Sequence, residues 1–164
     1  MKRRNFLKNT AIVSASSLAG FGISQKDLFL PTSPSNGGIP IVISTWNHGI
    51  AANHAAMEII SNGGRALDAV EMGVRVTESD PEMMSVGYGG LPDRDGFVTL
   101  DACIMDETGN CGSVSFLQDI KNPISVARKV MEETPHVMLS GRGAFDFAIE
   151  KGFKKEDLLT EKSK

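Results

Sequence analysis

Four glycines fall in the ten residues from Gly87 to Gly96, inside Ser85-Val86-Gly87-Tyr88-Gly89-Gly90-Leu91-Pro92-Asp93-Arg94-Asp95-Gly96-Phe97. A backbone this rich in glycine can reach positive φ and approach another surface closely, which no run of side-chain-bearing residues does as readily. Tyr88, the only tyrosine, sits among these glycines. The chain then alternates: Val98, Leu100, Ala102 and Ile104 point one way, Thr99, Asp101, Cys103 and Met105 the other. Whatever the fold, it must place a long glycine loop directly before a half-buried strand. Two readings stand: a loop that helps to build a site, or a long connector with turn glycines.

The 164 residues suffice for one domain, and 41% hydrophobic with 23% charged residues is a globular profile. A net charge of −3 leaves no basic excess for nucleic acid. Cys103 and Cys111 flank a turn. A bond across a hairpin is open to them, and a reduced, partly buried pair is the preferred reading.

The N-terminus stands apart. Lys2-Arg3-Arg4-Asn5-Phe6-Leu7-Lys8 precedes a mildly apolar stretch, residues 10–23, rich in Ala, Ser and Gly. The paired arginines resemble a bacterial twin-arginine export signal, and the apolar run is too short for a membrane span. Residues 1–30 are therefore expected to be a signal that directs the chain to the periplasm, with no membrane anchor left in the mature chain. Residues 31–38, Pro-, Ser- and Gly-rich, read as a linker.

From residue 39 onward the elements follow from their patterns. Ile39-Pro40-Ile41-Val42-Ile43-Ser44-Thr45 reads as a buried strand. A helix over residues 50–61 carries Ala52, Ala55, Ala56, Ile59 and Ile60 at helical spacing and stops at Asn62-Gly63-Gly64. A second, over residues 65–79, carries Ala66, Ala69, Val70, Gly73, Val74 and Thr77 and ends at Asp80-Pro81. Small residues on both stripes predict close packing. Residues 98–106 and 112–117 flank a hairpin turn. Asn122 as N-cap and Pro123 at the first turn open a third helix, to about Glu133, that buries Ile124, Ala127, Val130 and Met131. Residues 136–139 read as extended, residues 141–151 as a fourth helix stopped by Gly152, and residues 153–164 as a charged end without a final element.

Familiar catalytic patterns are missing. His48 and His54 are six apart with no thiol or carboxylate at ligand spacing, so no metal site is expected, and His136 reads as a structural or surface residue. There is no G-x-S-x-G elbow, phosphate loop or dinucleotide fingerprint. The acids Asp93, Asp95, Asp101 and Asp106 suit turns and a solvated edge. Trp46, the sole tryptophan, ends the first apolar run. Its flat face and single N–H donor suit either the wall of a ligand pocket or a core anchor.

Five ordered motifs nevertheless resemble one family. They are Ser44-Thr45-Trp46-Asn47, Gly63-Gly64-Arg65-Ala66-Leu67-Asp68-Ala69-Val70-Glu71, Ser85-Val86-Gly87-Tyr88-Gly89-Gly90, Asp101-Ala102-Cys103-Ile104-Met105-Asp106 and Lys121-Asn122-Pro123-Ile124-Ser125-Val126-Ala127-Arg128. Together they are similar to glycosylasparaginase, N4-(β-N-acetylglucosaminyl)-L-asparaginase, from about Ile39 to Thr160.

The resemblance implies an α+β N-terminal-nucleophile hydrolase fold, an αββα sandwich of two sheets between helical layers. Residues 39–164 would supply its N-terminal, α-chain part. Such precursors cut themselves into α and β chains, and the new N-terminal threonine attacks the substrate amide with its own amine as base. The resemblance further implies a complementary β chain, a dimer of such heterodimers, a glycosylasparagine-type substrate and no cofactor. Trp46 matches the substrate-pocket wall; Thr45 and Ser85 match positions close to the nucleophile and the self-cleavage loop. His48 stands where relatives often carry an aromatic ring, which bears on substrate fit. The family cuts within His-Asp-Thr, and no Asp-Thr occurs here, so no catalytic nucleophile is expected among these 164 residues. The alternatives are the plant-type asparaginase or isoaspartyl peptidase branch, and a non-catalytic truncated exported protein.

Overall fold

The computed structural model describes residues 38–164; the expected export signal and all but the last residue of the expected linker lie outside the described residues. Pro40–Lys164 make one unit. Helices α1 (Gly49–Ser61) and α2 (Ala66–Glu78) come first, then strands β1 (Leu100–Met105) and β2 (Cys111–Leu117). Helix α3 (Pro123–Glu133), the two-residue strand β3 (Leu139–Ser140) and helix α4 (Gly141–Glu150) follow.

The helical pair packs as its small residues predict. Gly49, Ala52 and Ala56 of α1 and Ala69, Gly73 and Thr77 of α2 are buried. A Cβ on Gly73 would lie 2.8 Å from the Ala52 carbonyl oxygen, so only glycine lets the two backbones come this close. The stripe on α2 is rotated from the expected one: Ala66, Val70 and Val74 are exposed, while Leu67 and Glu78 turn inward. On α1, Ala55, Ile59 and Ile60 are only half-buried. The stop after α1 is the expected one, with Gly63 at φ 80° and the Gly63 and Gly64 amides donating to the Ile60 and Ile59 carbonyls.

Strands β1 and β2 form the expected antiparallel hairpin, in register from Met105 opposite Cys111, with an irregularity between Leu100 and Ala102. The turn is tied by the Asp106 carboxylate, which accepts the Thr108 and Asn110 amides at 2.9 and 3.0 Å. Strand β3 adds to β2 in parallel, giving sheet order β1-β2-β3. Helix α3 lies on this sheet, and Ile104, Val114, Leu117, Ala127 and Val130 meet in the core between them. Met131, expected to be buried, is only half-buried against that core.

Arg128 locks α3 to α2. Its guanidinium reaches Asp68 and Glu71, each at 2.7 Å, and Glu132 at 2.8 Å. Hydrogen bonds to these carboxylates more than offset the desolvation that opposes its charge, and the guanidinium titrates above its ordinary value.

The expected first strand is corrected. Residues 38–44 form no strand, and Ile41 and Ile43 are 77% and 86% exposed. A β-branched run becomes a strand only when a neighbouring edge takes its N–H and C=O groups, and none of the described strands does so here. Residues 153–164 carry no helix or strand, as expected, and they are packed against the rest of the unit. Leu158 is buried with Val98 and Leu100, and its carbonyl accepts the Gly89 amide at 2.7 Å.

Candidate active-site groove

The helix and loop ends of this unit converge on an open groove of about 570 Å³. Its rim carries Thr45 and Trp46 from the segment entering α1 and Ser85 from the glycine loop. Its lining also includes Glu78 at the end of α2, Asp101 of β1 and Ile124 of α3. The three residues singled out from the sequence, Thr45, Trp46 and Ser85, thus share one groove. Trp46 is 74% exposed, too open for a core anchor within this unit. On its other side lies a second, more apolar hollow with Met83, Met84 and Leu91 in its lining. His48 borders both hollows; His54 and His136 are exposed elsewhere.

The glycine loop serves both readings offered for it. Its Ser85-Val86 end lines the groove, and its Gly96 end is a turn in which the Asp93 carboxylate accepts the Asp95 and Phe97 amides at 2.9 and 3.0 Å. Gly87, at φ 61°, lies against the end of α2, and the next amide, of Tyr88, donates to the Glu78 carbonyl at 2.8 Å. Gly89, at φ 90°, faces the Pro81 carbonyl, whose oxygen a Cβ would approach to 2.6 Å.

Asn122 holds the N-cap position of α3, as expected, but its side chain makes no capping bond to that helix. Its side-chain amide donates to Glu78 Oε2 at 3.3 Å and to Ser79 Oγ at 3.1 Å. The first turn of α3 is capped from outside instead: the Ile124 amide donates to Glu78 Oε1 at 3.1 Å. A helix N-terminus is a natural partner for a carboxylate, and a buried carboxylate needs donors more than α3 needs a local cap. Sequence reasoning missed Glu78. The only signal was its place next to Thr77, at the buried end of the α2 stripe.

Burial is the largest influence on Glu78 and pushes its carboxyl up to about 7; the Ile124 and Asn122 hydrogen bonds and Arg75 pull the other way. The folded chain therefore holds this proton more tightly than the unfolded one, whose value is 4.5. The contribution to stability is complete below the unfolded value and is lost as pH rises through 7. Glu78→Gln, which carries no charge to desolvate, should gain on the parent by about 2.5 kcal/mol between pH 5 and pH 8. Urea unfolding of both chains at the two pH values measures it, and parallel pH dependences would refute it.

Cys103 and Cys111 are free. Both are exposed rather than partly buried, and they are not direct partners across the hairpin: Cys103 faces Ser113 and Cys111 faces Met105. Among the described residues no three His, Cys, Asp or Glu side chains gather as metal ligands, and no helix is long and apolar enough to cross a membrane.

Mixed helices, a small sheet and a groove built around the Ser44-Thr45-Trp46 segment and the glycine loop make this an α+β chain. It belongs to the asparaginase family, whose model matches residues 47–164. The chain is 58% identical to N(4)-(Beta-N-acetylglucosaminyl)-L-asparaginase of Elizabethkingia miricola over 161 residues, 98% of this chain and 47% of that protein. It is 44% identical to the Rattus norvegicus protein of the same name over 138 residues, 84% of this chain and 40% of that one. An isoaspartyl peptidase/L-asparaginase of Rattus norvegicus is 46% identical over 110 residues, 65% of this chain and 33% of that protein. The chain thus spans about half the length, or less, of these relatives.

Proposed function

We propose that the chain is the α-chain-like portion of an amidohydrolase that cleaves the N4-glycosidic amide of glycosylasparagine and releases aspartate. The observation that carries this is the shared groove of Thr45, Trp46 and Ser85, in a chain 58% identical to a relative bearing that name. In this reading residues 39–164 supply one part of an αββα sandwich, and a complementary β chain supplies the second sheet and an N-terminal threonine. The exposed Ile41 and Ile43 support it, because an apolar β-branched run in water is one that lacks its neighbour.

The chemistry follows from the missing threonine. Its hydroxyl oxygen attacks the substrate's side-chain carbonyl carbon while its α-amine takes the hydroxyl proton. The C–N bond breaks, the sugar leaves as a glycosylamine carrying that proton, and water hydrolyses the acyl ester to aspartate. Trp46 offers the substrate a flat wall and one N–H donor. Thr45 and Ser85 sit beside the place the threonine would occupy. The longer match at higher identity favours this substrate over an isoaspartyl peptide.

The test is reconstitution. Co-expressed with a complementary half carrying His-Asp-Thr, the chain should release aspartate from glycosylasparagine faster than from an isoaspartyl dipeptide. Alone it should release none. Turnover by the chain alone, or none by the reconstituted pair, would reject the assignment. Export by the twin-arginine route to the periplasm belongs to the same proposal: replacing Arg3 and Arg4 with lysine should retain the protein in the bacterial cytoplasm, and undiminished periplasmic delivery would rule that route out.

A further inference from the structure

We propose that Glu78 is the positioning residue of the groove: its side chain fixes the start of α3 and its carbonyl fixes the glycine loop that carries Ser85, so that the ionisation of this one carboxyl sets the groove wall. The idea rests on the reading of the groove as the substrate site and adds to it a control that none of Thr45, Trp46 and Ser85 supplies.

The geometry is that of a three-way clamp. Glu78 is 3% exposed. Oε1 accepts the Ile124 amide at 3.1 Å, and Oε2 accepts the Asn122 side-chain amide at 3.3 Å. The carbonyl of the same residue accepts the Tyr88 amide at 2.8 Å, two residues past Val86 in the groove wall. Gly87 lies so close over that carbonyl that the loop has no room to shift toward it. The end of α2, the start of α3 and the loop therefore share one anchor.

Protonation changes the clamp in a definite way. The carboxylate accepts from Ile124 and Asn122 together. The acid carries a proton on one oxygen, and on Oε2 that proton opposes the Asn122 amide, donor against donor. The arrangement that lets this O–H donate turns the Asn122 oxygen toward Glu78, which takes its N–H from Ser79. Glutamine imitates this neutral form at every pH.

The groups able to bias the equilibrium are few. Arg75 favours the charge and Glu71 opposes it, both from α2. Asp101 of β1 and His48, just before α1, border the same groove, and the loop brings Tyr88. Asn122, at the start of α3, is neutral. Burial outweighs the favourable partners, so both forms are populated near neutrality.

The experiment is a pH titration, from about 5.5 to about 8.5, of the 15N-labelled 164-residue chain, following the Ile124, Tyr88 and Ser85 amides. The three should move together with one midpoint near 7. The movement should vanish in Glu78→Gln and persist in His48→Gln, which removes the one histidine at the groove. Asn122→Ala, which deletes a donor to the charged form, should move the shared midpoint upward, and this arm decides the matter even if Glu78→Gln does not fold. A Ser85 amide that stays still while Ile124 titrates would leave Glu78 a structural residue only. A titration that survives Glu78→Gln, or disappears in His48→Gln, would assign it to another group. No substrate enters this measurement, so it succeeds or fails separately from the reconstituted activity.

Discussion

Gly87→Ala should cost the folded chain about 3–5 kcal/mol, enough to remove a large part of the stability of a domain this size. Two independent penalties coincide at this position. Gly87 has φ 61°, where an added Cβ strains the backbone by roughly 1–2 kcal/mol. That Cβ would also fall on the backbone of Glu78, on its carbonyl oxygen and Cα, and no rotamer change can move a backbone aside. The loop must lift from α2, which breaks the Tyr88 hydrogen bond and opens the groove wall at Ser85. Gly96→Ala separates the two penalties. Gly96 has φ 88° but open space around the position of its Cβ, so it should lose only the backbone term, roughly 1–2 kcal/mol. Urea midpoints of the two variants beside the parent decide the point. Equal losses would mean that the loop is not pinned to α2.

That contrast also shows what the sequence could and could not disclose. Four glycines close together announced a backbone with positive φ and close approaches, and Gly87, Gly89 and Gly96 all have positive φ. Which glycine touches what depends on residues far along the chain, Leu158 among them, and no local pattern carries that. Helices were legible wherever their stops were chemical, as at Asn62-Gly63-Gly64 and at Gly152. The alternation of Val98, Leu100 and Ile104 was legible because one face of β1 is covered by this chain's own residues. The run at residues 39–45 misled for the complementary reason: it has strand composition, and composition cannot supply the neighbouring edge a strand requires. The same limit applies to Asn122. Local rules make it a cap, but a buried carboxylate from α2 outbids it for the first turn of α3, and that contest is settled across 44 residues of sequence separation. Trp46 reads in the sequence as a pocket wall or a core anchor, and its exposure in the folded chain speaks against a core anchor within this unit.

Trp46 then carries the largest expected effect on activity. In the reconstituted enzyme Trp46→Ala should lower kcat/KM by about ten- to a hundredfold, roughly 1–3 kcal/mol of lost transition-state binding. Trp46→Phe keeps most of the flat face and deletes the N–H donor, so it should fall between the parent and alanine. The gap between the two variants measures the face; the gap between phenylalanine and the parent measures the donor. Stability should hardly register either change, because a side chain 74% exposed leaves little buried area to lose on truncation. A core anchor behaves in the opposite way: truncating a buried tryptophan costs roughly 3–5 kcal/mol, and the fold fails before any kinetic effect can be read. The deciding pair of measurements is kcat/KM beside the unfolding midpoint for each variant. Kinetics that collapse at an unchanged midpoint place the ring against the substrate. A fallen midpoint with unchanged kinetics in the surviving fraction would hand Trp46 to the packing between this chain and its complement, and the substrate wall would have to be sought among the other groove residues.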